Sequence, residues 1–97
     1  MSEAEFQKEV AEVLVVYEQT IGHAATRTRA MIGEHGAVGA LTRLMVSPDL
    51  QQGFKVLRDN GQLSLTFEAL VVQHKALFGR EAIEAAQWRL DNPYQLL

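Results

Sequence analysis

A chain of 97 residues is long enough for one hydrophobic core and too short for two of independent stability. The absence of cysteine excludes a disulfide framework and any thiolate metal site, and a net charge of −3 argues against the broad cationic surface that drives non-specific nucleic-acid binding. Residues 1–20 carry five glutamates against one lysine, no apolar run approaches the roughly 18 residues of a membrane span, and the sequence predicts neither signal peptide nor membrane helix, with the cytoplasm as the expected location.

Ser2 and Glu5 have the spacing of a capping box, which predicts a helix over about 3–21. Phe6, Val10, Val13, Leu14, Tyr17 and Ile21 recur at steps of three and four on one face, while Glu5, Lys8, Glu9 and Glu12 point elsewhere. Val15 and Val16 widen that stripe, through either a broad core face or a surface covered by another chain. A second helix is expected over about 24–35, with alanines, Met31 and Ile32, ending where Gly36 takes the left-handed conformation. A third, over about 37–46, turns Val38, Leu41, Leu44 and Met45 inward and stops before Pro48.

Ser47, Pro48 and Asp49 are suited to start a fourth helix over about 48–59, with Leu50, Phe54 and Leu57 on one face. Asp59, Asn60 and Gly61 read as a turn, and Leu63, Ser64 and Leu65 as a short extended link. Thr66 is the predicted cap of a fifth helix over about 66–76, with Phe67, Leu70, Val71 and His74 packed and Glu68 in the first turn, where the helix dipole favours a negative charge. Gly79 resets the chain before a sixth helix over about 80–91, with Ile83, Ala86 and Leu90 inward and Trp88 off the stripe. Asn92 and Pro93 close it, leaving a tail of residues 92–97. The expectation is an all-α, single-domain bundle of five to six short helices, more than about 60% helical against a base rate near one third. Phe54, Leu57, Phe67 and Leu70 are expected to share its core.

Tyr17-Glu18, Gly22, Ala25-Thr26, His35-Gly36, Ala40-Leu41, Leu44, Ser47, Gly53-Phe54, Leu57, Gly61, Leu63, Leu65-Thr66, Glu68-Ala69-Leu70-Val71, Phe78, Glu81, Ala85 and Arg89-Leu90 together resemble the pattern of an uncharacterised small helical module of bacteria and phages. The resemblance spans nearly the whole chain and is most specific from Gly53 to Val71. It implies a stand-alone protein or an appendage of larger, sometimes nuclease-like proteins, in a setting of mobile elements and antiviral defence, with no catalytic residue of its own. The chain departs from the pattern at Ser64, where an acidic residue is usual, and at residues 49–52, where a proline-serine turn is usual. Most of the pattern is explained by folding, leaving Thr26, His35 and Glu68 as polar members that packing does not require.

Chemistry is sparse. His23, His35 and His74 lie on three segments without paired ligand spacing, and Glu34-His35 is not the zinc-binding HExxH arrangement. Gly33, Gly36 and Gly39 lack the lysine of a phosphate loop, so neither a metal, a cofactor nor an enzymatic activity is expected. Arg27, Arg29, Arg43, Lys55 and Arg58, set against Glu34, Asp49 and Asp59, give a local charge of +2. They are either a solvated face or a patch for phosphates or an acidic protein. Tyr94, Leu96 and Leu97 either fold back or dock on a partner. The leading expectation is therefore a non-catalytic protein–protein interaction module, a regulator or inhibitor. Its candidate interface is Val13, Val15, Val16, Tyr17, Tyr94, Leu96 and Leu97, and it pairs with another protein or with itself as a homodimer. The alternative is a small nucleic-acid-binding domain using the five cations.

Overall fold

The computed structural model describes residues 3–47 and 52–95. The chain is an all-α bundle: α1 (Glu3–Ile21), α2 (Thr26–Val46), α3 (Gln52–Asp59), α4 (Phe67–Gln73) and α5 (Arg80–Asp91), with 3-10 turns at Leu63–Leu65 and Lys75–Leu77. It is 82% helical and has no strand among the described residues. Among the described residues no helix is long and apolar enough to cross a membrane.

Helix α1 buries Phe6, Val10, Val13 and Leu14, the step-of-four pattern expected of one packed face, and places Glu3 and Glu5 in the first turn at the positive end of its dipole. The Ser2 half of the predicted capping box lies outside the described residues. The helix ends at Gly22, whose φ of 81° is open to glycine and strained for other residues. The next helix starts two residues later than predicted, at Thr26, since Ala25 is outside the helical region, and the Ala25 methyl cannot cap it. The cap comes instead from α1: Glu18 Oε2 accepts the Ala25 N–H at 2.8 Å and the Arg29 Nε–H at 2.7 Å.

That corner predicts an acid limb in stability. Arg29 and the Ala25 amide hold the Glu18 carboxyl at about 2, below its ordinary value of 4.5. The folded state then binds fewer protons than the unfolded one between those values, so the contribution is complete above pH 4.5 and is lost as pH falls towards 2. Melting temperature followed over that range should fall less steeply in Glu18→Gln than in wild type. Parallel curves would show that the corner is electrostatically idle.

The two predicted helices 24–35 and 37–46 are the halves of α2. They are joined through Gly36, whose φ of 74° and ψ of 170° leave the helical region. The second half buries Ala37, Ala40, Leu41, Leu44 and Met45. The predicted start of the next helix falls on residues 48–51, with Leu50 among them, outside the described residues. Helix α3 is described from Gln52 and ends at Asp59 as expected, followed by Gly61 at φ 71°. Leu63–Leu65 is a 3-10 turn rather than an extended link. Without a strand to pair with, its backbone is satisfied locally, by Leu65 N–H to Gln62 O at 2.9 Å and by the Thr66 hydroxyl donating to Leu63 O at 2.8 Å. The same hydroxyl oxygen accepts the Ala69 N–H at 3.1 Å, so the predicted cap is in place and fully buried.

Helix α4 ends at Gln73, earlier than predicted, because His74 leaves the helical region and turns its ring onto α1. There Nε2 lies 2.8 Å from Glu9 Oε2 and the ring meets Phe6 edge-on. Helix α5 has its predicted bounds but not its predicted face. Ala82, Ala86 and Arg89 point inward, while Ile83 and Leu90 are half-buried. Helix α5 packs on α4 and α2, and α1 packs on α3 and α4, around a core centred on Phe6, Val10, Leu41, Met45, Leu70 and Val71.

Candidate binding cleft

Straight, the 21 residues of α2 would extend roughly 30 Å, the longest dimension of the molecule. The break at Gly36 lets both ends of the helix reach one hollow, where its first turn (Thr26, Arg27, Thr28) and its last (Leu44, Met45) meet the end of α1, α3 and the start of α4. The hollow measures about 430 Å³, within the size range of ligand pockets. Tyr17, Phe54, Leu57 and Phe67 give it apolar, mainly aromatic walls, and His23, Arg27 and Gln52 give it a polar margin. Gly53 keeps one wall open: a Cβ there would stand 3.7 Å from the Tyr17 ring, in ordinary contact. Burial pushes the Tyr17 phenol up, so it stays neutral and keeps its proton.

Glu68 is the acidic member of the lining, and it is buried. Its Oε2 accepts from Arg89 Nη1 at 2.8 Å, and the guanidinium also donates to Leu44 O at 3.2 Å and Met45 O at 2.7 Å. Arg89 thus neutralises Glu68 and occupies the terminal carbonyls of α2, which lack helical partners and carry the negative end of the dipole. Burial pushes the Glu68 carboxyl up, and Arg89 opposes that rise. Glu68 therefore answers a buried guanidinium rather than only the helix dipole expected from its first-turn position, a pairing with no local sequence signal of its own. The signal spans two helices: the phase of Arg89, which continues the Ala82, Ala86 stripe, together with an acid in the packed first turn of the preceding helix.

The described residues of the sequence-predicted interface differ in burial. Val13 is a core residue, 6% exposed, because α1 is covered by more than one element and needs a wider apolar arc than a single-sided helix. Tyr17 is half-buried in the cleft wall, and Val16 is half-buried. Val15 is 45% exposed but isolated, flanked on its face by exposed Lys8, Ala11, Glu12 and Gln19. Tyr94 is 72% exposed at the far end of the chain, with the Arg58 guanidinium 5.2 Å from its ring centre. Leu96 and Leu97 lie outside the described residues. The predicted core quartet is divided: Leu70 is in the central core, with half-buried Phe67 packed against it, whereas Phe54 and Leu57 are buried at the cleft wall outside that cluster, because α3 packs on α1 and closes the cleft side of the bundle.

The five cations are likewise dispersed among separate tasks. Arg27 is exposed at the cleft margin, and Arg43 is exposed in the last turn of α2. Arg29 is committed to Glu18. Lys55 is half-buried, and Arg58 is held by Asp59 at 2.9 Å and by the Pro93 carbonyl at 2.8 Å. Of the polar pattern members, Thr26 opens α2 at the cleft, and His35 is exposed with Nε2 3.7 Å from Glu34. Among the described residues no three His, Asp or Glu side chains gather as a metal-binding group. No protein family model, curated protein or solved structure matches the chain.

Proposed function

We propose that the chain is a non-catalytic protein-binding module whose recognition element is the cleft between α1, α3, α4 and the two ends of α2. The observation that carries this reading is an open, aromatic-walled hollow of about 430 Å³. Pockets of this kind receive the aromatic and aliphatic anchors that dominate protein interfaces. Among the described residues the one acid in its lining is occupied by Arg89, so the cleft offers a site for apolar contact rather than a reactive pair. On the resemblance of residues 53–71 to the bacterial and phage module, the role is that of a regulator or inhibitor in a defence or mobile-element setting. The nucleic-acid alternative is less supported, since Arg29 and Arg58 already have intramolecular partners.

Affinity capture with three forms of the protein tests the reading. Gly53→Leu extends a side chain into the cleft from a helical position where leucine has better propensity than glycine, and is expected to fold and to lose its partner. Val15→Glu alters an isolated exposed site, and is expected to keep both partner and stability, to within about 0.5 kcal/mol. Equal capture by all three forms, or loss in Val15→Glu alone, would move the interface away from the cleft.

A further inference from the structure

Trp88 is the only tryptophan in the chain, and it stands 47% exposed on α5, off the buried stripe of Ala82, Ala86 and Arg89. Its indole N–H has no hydrogen-bond partner among the described residues. Tryptophan is among the residues most enriched at the hot spots of protein interfaces, where its ring is buried and its N–H finds a partner. The cleft supplies what that ring lacks: aromatic walls at Tyr17, Phe54 and Phe67, and a carboxylate, Glu68, of which only Oε2 is engaged by a side chain. The pair Glu68–Arg89 is neutral as a whole, so the cleft suits an uncharged ring bearing one donor better than a charged group.

The charges around the two features are also complementary. Glu84 lies four residues before Trp88, Glu81 seven before and Asp91 three after, so all three share its face of α5, and all are exposed. Glu84 is bridged by Arg80 at 2.8 Å and Asp91 accepts from Gln87 at 3.0 Å, which leaves the face acidic overall. The margin of the cleft carries Arg27 and His23. Trp88 does not line its own cleft, so the two can meet only between molecules.

We propose that the cleft receives Trp88 of a second copy of this chain, the two copies exchanging indoles about a two-fold axis. This rests on the reading of the cleft as a protein-contact site. Two-fold exchange forms both contacts at once and closes the assembly at a dimer, and the acidic face of each α5 then lies over the basic margin of the other's cleft.

The single tryptophan makes the contact directly observable. Sedimentation should show a dimer that weakens with added salt, and emission should shift to the blue as protein concentration rises. Trp88→Ala and Gly53→Leu, each checked by circular dichroism for intact helix, should each weaken self-association by roughly 30-fold or more. Mixing them restores one of the two contacts: Gly53→Leu supplies the only indole, Trp88→Ala the only open cleft, and emission should shift to the blue on mixing. A wild type that stays monomeric at millimolar concentration overturns the proposal, as does a dimer unaffected by both substitutions or a mixture with unshifted emission. Should cleft-dependent capture of another protein persist in any of those cases, the binding reading stands and only the identity of the occupant falls.

Discussion

Replacing Arg89 by methionine is expected to destabilise the fold by about 3–5 kcal/mol, a large part of the 5–15 kcal/mol typical of a domain. The guanidinium serves three buried acceptors at once: Glu68 Oε2 and the carbonyls of Leu44 and Met45. Methionine fills much of the same volume and restores none of these bonds. Glu68 is then buried without a counter-charge, and it relieves the cost by taking up a proton. The sign follows from the direction of its shift. Burial already holds its folded-state value above 4.5, and loss of Arg89 removes an opposing influence. The folded variant therefore binds more protons than the unfolded chain above that pH, and its stability rises as pH falls towards 4.5. Urea unfolding at pH 7 and pH 5 should show the deficit shrinking in acid. The double variant Glu68→Leu, Arg89→Met should recover most of the loss, since an apolar pair of similar volume avoids the buried charge. An Arg89→Met protein within 1 kcal/mol of wild type would mean that the pair is hydrated rather than buried.

How much of this was legible in the sequence depended on whether the signal was local. The bounds of α5 follow from Gly79 on one side and Asn92-Pro93 on the other, the cap of α4 from Thr66, and the break in α2 from Gly36. Each is set by one residue acting on its own backbone. The wide stripe at Val13–Tyr17 was legible as a width but not as a cause. Both a partner chain and a core wrapped round α1 require it, and only the packing of α3 and α4 on that helix decides for the core at Val13. Glu68 and Arg89 are 21 residues apart, and nothing local says that a first-turn acid will find a guanidinium rather than water. The cleft was invisible for a further reason: it is the space left where five chain segments fail to close, and a sequence lists residues without the gaps between them.

Phe6→Ala is the other substitution expected to have a large effect, about 3–5 kcal/mol for a buried phenylalanine. Phe6 is fully buried and is the first core residue of α1, so it fixes the start of that helix against the end of α4. Its ring meets His74 edge-on at 5.0 Å between centres and Phe78 at 5.5 Å. His74 is in turn positioned by Glu9, one turn further along α1. A carboxylate only accepts, so Nε2 carries the hydrogen and Nδ1 is left buried with no partner. Removing the Phe6 ring opens a cavity beside that imidazole. The discriminating comparison is Val15→Glu on the same helix, where the side chain is isolated and exposed and the expected change is within about 0.5 kcal/mol. Denaturant unfolding of the two variants should therefore differ by several kcal/mol, and similar midpoints would show that α1 is not docked through Phe6.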